Sequence, residues 1–214
     1  MSAKSVPKPG GESSKPVRER ILEVAEDLFY REGVRAVGVD TIIARSGVAK
    51  MSLYRNFPSK DALVVAYLQV RSERFWRWWD GVTRPLEGDP REQVRALFAS
   101  QVTRVNRPEF RGCPFVNVGT EFPAPDHPAR AVVEAHRTEV HSRFEAMAVE
   151  MGAARAADLA DQLTVLMDGV YAGAGAFAAP GSAAAILGAV DVLIEAQLRA
   201  APGGRPPRRK NSRG

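Results

Sequence analysis

The chain predicts an all-α fold, with a three-helix N-terminal unit that contains a helix-turn-helix and a longer helical body behind it. Three observations point there. Apolar residues recur at spacings of three and four through most of the chain, the alternating pattern of strands is absent, and a glycine separates two short periodic runs between Val39 and Lys60.

Residues 1–15 carry Pro7, Pro9, Gly10, Gly11 and Ser13-Ser14 without periodicity and read as a disordered arm. From Pro16 a helical pattern begins, with Val17, Ile21, Leu22, Ala25, Leu28 and Phe29 on one side. Arg18, Glu19, Glu23, Glu26 and Asp27 fall on the other side, and Gly33 closes the helix. The next helix opens near Gly38-Val39-Asp40. Gly38 offers no capping side chain, which leaves Asp40 or Thr41 as the expected substitute.

Thr41-Ile42-Ile43-Ala44 and Met51-Ser52-Leu53-Tyr54 flank Ser46-Gly47-Val48, where glycine permits a sharp turn. In the second of these helices Leu53 and Phe57 stand four apart and face a core. Lys50, Met51, Tyr54 and Arg55 then share the outward side. Thr41 to Lys60 holds four basic residues, Arg45, Lys50, Arg55 and Lys60, and no acidic one. Such a surface suits a DNA major groove.

Pro58 breaks the pattern, and Ser59 is placed to cap a long helix, with Asp61 at its positive end. That helix runs through Leu63, Tyr67 and Val70 to Phe75, Trp76, Trp78 and Trp79, joining the N-terminal unit to the body. Asp89-Pro90-Arg91-Glu92 starts another, with Val94, Leu97, Phe98, Gln101, Val102 and Val105 inward. Pro114 restarts a short helix through Phe122, and the 123–128 loop precedes one with Val133, Val140, Phe144 and Met147 inward. The last two helices, about 153–178 and 182–200, are separated by Pro180-Gly181 and are rich in alanine, with apolar residues on more than one face. The expected boundaries are an arm over 1–15, a DNA-binding unit over 16–62, a longer helical body over 63–200 and a disordered basic tail over 201–214.

Charge is polarised. Residues 1–60 hold eleven basic against seven acidic residues, 61–200 fourteen against eighteen, and 201–214 five against none. A basic N-terminal part with an acidic body fits contact with phosphates at one end only. The single cysteine, Cys113, excludes an intramolecular disulfide framework. No apolar run reaches the ~18 residues of a membrane span, and no signal-like core opens the chain, so a soluble cytoplasmic protein is expected. Catalysis finds only Cys113, His127, His136 and His141 to work with, at no catalytic or metal-binding spacing; neither enzyme activity, nor a metal, nor a cofactor is expected.

Gly47-Val48-Ala49-Lys50, Ser52-Leu53-Tyr54-Arg55-Asn56-Phe57 and Ser59-Lys60-Asp61-Ala62-Leu63 resemble the pattern G-V-S-x-x-T-L-Y-x-x-F-x-S-K-x-x-L of the TetR-like transcriptional regulators. The resemblance extends upstream through Ile21-Leu22-Glu23-Val24-Ala25, Leu28-Phe29 and Glu32-Gly33 and covers about residues 17–68. Further on, Gly112-Cys113-Pro114-Phe115-Val116-Asn117, Glu121-Phe122 and Asp126-His127-Pro128 resemble a ligand-domain subgroup of that family, the LmrA/YxaF-like regulators.

The resemblance implies a repressor that binds a pseudo-palindromic double-stranded operator as a homodimer through its last two long helices. Lys50 and Met51 are then the base readers, while Ser52, Tyr54, Arg55, Asn56 and Lys60 hold phosphates and Thr41 and Arg45 are further contacts. Two departures stand out: Gly38 replaces the family's Thr or Ser, and Met51 replaces a frequent glycine. The body is expected to bind a small hydrophobic or aromatic molecule, flavonoid-like or drug-like, through Trp76, Trp79, Phe98, Phe115, Asn117, Met167 and Tyr171. The alternative is an architectural or co-regulator protein of the same fold that binds DNA without a ligand.

Overall fold

The computed structural model describes residues 15–173 and 181–199, and among them it has helices and no strand. In order these are α1 (Val17–Glu32), α2 (Val39–Ser46), α3 (Lys50–Asn56), α4 (Lys60–Thr83), α5 (Pro90–Val105), α6 (Pro114–Glu121), α7 (Pro128–Glu150), α8 (Ala156–Ala172) and α9 (Ser182–Arg199). A 3-10 turn over Arg84–Leu86, which the apolar pattern does not signal, follows α4. Residues 1–14 of the expected 1–15 arm, the tail over 201–214 and the end of the expected 153–178 helix, with Ala174 and Phe177, lie outside the described residues.

Local chemistry sets most boundaries. Ser59 accepts the Ala62 amide at 3.0 Å and opens α4; Asp89 accepts the Glu92 amide at 3.1 Å and opens α5, with Pro90 next. The inner face of α5 is Val94, Leu97, Phe98, Gln101, Val102 and Val105, as its spacing predicts. α8 starts later than expected because the chain turns at Gly152 (φ +75°) and the Ala154 amide donates to the Gln197 carbonyl of α9 at 3.2 Å. Arg91 and Arg95 of α5 pair with Asp191 of α9, fastening those two helices.

Two expectations are corrected. Neither Asp40 nor Thr41 replaces the cap at Gly38, since α2 begins without any side-chain cap. Glu26, expected on the outward side of α1, is buried, because Arg71 and Arg74 of α4 approach its carboxylate at 3.4 and 2.8 Å. Charge carried on a different helix decides its burial, and local spacing holds no record of that.

Hydrophobic side chains gather in two clusters that meet along α4. Leu63, Val64, Ala66, Tyr67 and Leu68 belong with α1, α2 and α3; Phe75 and Trp79 belong with α5, α7, α8 and α9. The 62/63 boundary therefore falls inside one continuous helix. Phe115 and Val118 of α6 and Ala129 of α7 join the first cluster, so the body completes the core of the N-terminal unit.

Candidate nucleic-acid interface

α3 is short and owes its position to packing and to the turn before it. Gly47 takes the left-handed conformation (φ 64°, ψ 28°) and its amide closes α2 on the Ile43 carbonyl. Arg20 of α1 then donates from Nη2 to the Ser46 and Gly47 carbonyls at 2.9 and 3.1 Å, holding the turn against the unit's own core. Leu53 and Phe57 insert beneath α3 at 1% and 2% exposure. Burial of each contributes about 1.5–3 kcal/mol, enough to fix the rotation of so short a helix.

With that rotation set, Lys50, Met51, Tyr54 and Arg55 all face water. Lys50 reaches Asp40 of α2 at 3.4 Å; both are exposed, so the contact is weak and a phosphate or base acceptor can displace it. Thr41 and Arg45 are exposed on α2, and Arg45 lies 3.9 Å from Glu32. Ser52 and Asn56 are half-buried and engage each other, the Asn56 amide donating to the Ser52 carbonyl at 2.8 Å. Lys60 is half-buried at the start of α4, and burial holds its ammonium pKa below the ordinary value. The most exposed part of the set is thus Thr41, Arg45, Lys50, Met51, Tyr54 and Arg55.

The residues expected at the ligand do not form one group. Trp79, Phe98 and Met167 are core, at 1%, 0% and 2% exposure, because Trp79 and Phe98 both pack on Phe144 and the Gln101 amide reaches the Met167 carbonyl. Trp76 lies in an open groove with Gln69, Ser72 and Val132. Asn117 serves the backbone instead. Its amide donates to the Arg111 carbonyl at 2.9 Å, and its side-chain oxygen lies 3.2 Å from where a Cβ on Gly112 (φ +91°) would stand. Phe115 and Tyr171 do meet, lining a cavity of about 130 Å³ with Tyr30, Arg71, Phe75, Arg104 and Cys113. A neighbouring cleft of about 280 Å³ shares the Cys113 and Phe115 wall and continues to Arg130, His136 and Asp168.

Sequence spacing missed the seam between unit and body. Glu121 of α6 accepts the Val34 and Arg35 amides at 3.1 and 2.7 Å, and the Tyr30 hydroxyl accepts the Arg111 amide while donating to the Gly112 carbonyl. His127 stacks on Phe122 at 4.1 Å and approaches Asp61 of α4 at 3.5 Å, while Arg35 lies over Phe122. The motif around residues 112–128 thus joins the body to the helix-turn-helix; Gly112, Asn117, Glu121 and His127, set among four prolines, were the available signal. Burial pushes the Cys113 thiol up to about 11, so the helix start does not generate a thiolate at neutral pH.

Comparison with known proteins agrees with this arrangement. Residues 21–67 match the family model described as bacterial regulatory proteins, tetR family, and residues 90–186 match the tetracyclin repressor-like C-terminal domain. A crystal structure of a TetR transcriptional regulator from Streptomyces avermitilis is 32% identical, superposes with a TM-score of 0.76, and is matched over 86% of this chain and 98% of its own. SCO4454, a TetR-family transcriptional regulator from Streptomyces coelicolor, is 30% identical with a TM-score of 0.74, over 85% and 95% of the two chains. Among curated relatives, the HTH-type transcriptional activator FasR of Mycolicibacterium smegmatis is 36% identical over 81 residues, covering 37% of this chain and 36% of that protein. An HTH-type regulator of Mycobacterium tuberculosis, Rv1255c, is 36% identical over 59 residues, covering 28% of this chain and 29% of that protein, so these matches span about a third of the curated relatives. Among the described residues no helix is long and apolar enough to cross a membrane. Helix-turn-helix, helical body and both domain matches converge: the chain belongs to the TetR family of DNA-binding transcriptional regulators, and it is a regulator and not an enzyme.

Proposed function

We propose that the protein is a cytoplasmic repressor that binds a pseudo-palindromic operator as a homodimer and leaves it when a small molecule occupies the body. The observation that carries the DNA part is the outward face of α3, where Lys50, Met51, Tyr54 and Arg55 are exposed above the buried Leu53 and Phe57. Lysine and arginine donate to guanine acceptors and phosphates, and methionine offers apolar contact to a thymine methyl. Ser52, Asn56 and Lys60 flank this face as phosphate contacts, with Thr41 and Arg45 on α2. A dimer sets two such helices about 34 Å apart, one turn of DNA.

Exposed Val165 of α8 and Val192 of α9, on helices rich in alanine, support pairing through those helices. The ligand part is supported by the cavity at Phe115 and Tyr171 and by the seam that ties α6 and α7 to α1 and α4. A ligand that moves α4 changes the spacing of the two reading helices. The cavity favours this over the architectural alternative.

The test begins with footprinting of the purified protein on its own genome, followed by mobility-shift titration of the recovered site in rising salt. Lys50→Ala with Arg55→Ala is expected to weaken binding at least a hundredfold and to flatten the salt dependence, since about two charge contacts are lost. Unchanged affinity would remove these residues from the interface. A promoter fusion carrying the same site reads the sign of regulation, and higher output with the protein present would replace repressor by activator.

A further inference from the structure

The cavity between α1, α4, α5 and α8 gathers polar groups that the fold itself does not use. Tyr171 is 6% exposed and lines it, and among the described residues its hydroxyl has no hydrogen-bond partner. Arg104 lines the same space; its Nη1 is buried and likewise unpartnered, and among the described residues no carboxylate lies within ion-pair distance of it. Its guanidinium instead lies over the Trp78 ring at 4.6 Å. Buried polar atoms are ordinarily paired, and an unpaired phenol beside an unpaired guanidinium nitrogen is an arrangement suited to an acceptor from outside the chain.

Charge points the same way. Three guanidiniums, Arg71, Arg74 and Arg104, border the cavity; Arg71 and Arg74 share the carboxylate of Glu26, and Arg104 has none among the described residues. The walls between these cations are the rings of Phe75, Phe110 and Phe115, with Phe110 stacked on Tyr171 at 6.0 Å. A guanidinium fork matches a carboxylate in two parallel hydrogen bonds, and an aromatic wall takes the face of a ring.

We propose that this cavity binds a carboxylate carried on a single aromatic ring, with its oxygens held by Arg104 and Tyr171 and its ring among Phe75, Phe110 and Phe115. The proposal rests on the ligand-responsive reading above and narrows it. At about 130 Å³ the space admits one ring and a short acid group, whereas drug-sized ligands occupy roughly 300–1,000 Å³. The bound anion competes with Glu26 for Arg71 and Arg74. Because Glu26 sits on α1, against which α2 and α3 pack, that competition loosens the joint between the body and the reading helix.

Tryptophan fluorescence of the full chain, with Trp78 beside Arg104, tests this by titration with benzoate, salicylate and phenylacetate, with their neutral amides and with inorganic phosphate. At least one acid is expected to bind saturably and at least tenfold tighter than its amide and than phosphate. Arg104→Met weakens that acid at least tenfold and Tyr171→Phe several-fold, while the ligand-free melting temperature of each variant stays equal or rises. Should Arg104→Met fail to fold, Tyr171→Phe carries the comparison, since it removes one buried oxygen. Binding by no acid, equal binding of acid and amide, phosphate binding as tightly as the acids, or full acid affinity in both variants overturns the proposal. Mobility shift with the same acids separates the two readings. An acid held through Arg104 that leaves operator affinity unchanged supports the carboxylate site and sinks the inducer reading; a neutral compound that releases operator while no acid binds does the reverse.

Discussion

Met51 exposes 65% of its surface while Leu53, two positions on, exposes 1%. Leaving a methionine in water forgoes a burial worth about 1.5–3 kcal/mol, which the proposed groove contact would recover. His136 shows the opposite case. It is buried, stacked on Phe115 at 3.5 Å and edge-on to Phe75, with Ser72 as its polar neighbour at 3.4 Å, and burial lowers its pKa from 6.5 to about 4. The folded state therefore holds the neutral ring, and the unfolded state takes up a proton first. Stability from this residue is complete above pH 6.5 and is lost as pH falls toward 4, by on the order of 2–3 kcal/mol. Melting temperatures across that window should fall for the native protein and fall less for His136→Phe; equal slopes would show that His136 does not carry the effect.

Among the elements, α2 and α4 differ at their starts and the difference is testable. Ser59 caps α4 with its own oxygen, whereas Gly38 gives α2 nothing. A Cβ at Gly38 would meet only the Thr41 hydroxyl, at 3.9 Å, and the backbone there is ordinary. Gly38→Ser should raise stability by a few tenths of a kcal/mol through a new cap. At Gly47 a Cβ also has room, with Arg20 Nη2 at 3.6 Å, but φ is +64°. The dihedral alone decides, and Gly47→Ala should cost about 1 kcal/mol. Urea unfolding of the two variants gives opposite signs; a stabilised Gly47→Ala would refute the turn's assigned role.

For the molecule as a whole the decisive prediction is assembly. Val165 and Val192 expose 64% and 68% of their surface on α8 and α9, helices whose small residues permit close approach. Val165→Glu with Val192→Glu should sediment as a monomer, keep its helical circular dichroism and lose at least a hundredfold in operator affinity, because one half-site replaces two. A variant that remains dimeric would move the interface elsewhere. α4 passes through both clusters, with Phe75 in one and Leu63 in the other, so it is the continuous element along which the proposed ligand response would travel.

Helix positions, the turn at Gly47, the caps at Ser59 and Asp89 and the outward face of α3 were legible along the chain, because each depends on residues within about one or two helical turns. The burial of Glu26, the grip of Glu121 on the Val34 and Arg35 amides, the bond from the Asn117 side chain to the Arg111 carbonyl and the cavity at Tyr171 were not. Most of these bring together residues dozens of positions apart, and periodicity states which face of a helix is apolar without stating which other helix meets it. Trp79 and Phe115 carry similar aromatic patterns, yet one is sealed against Phe144 and the other walls a cavity, since only the packing of α4, α6 and α7 sets where the space remains.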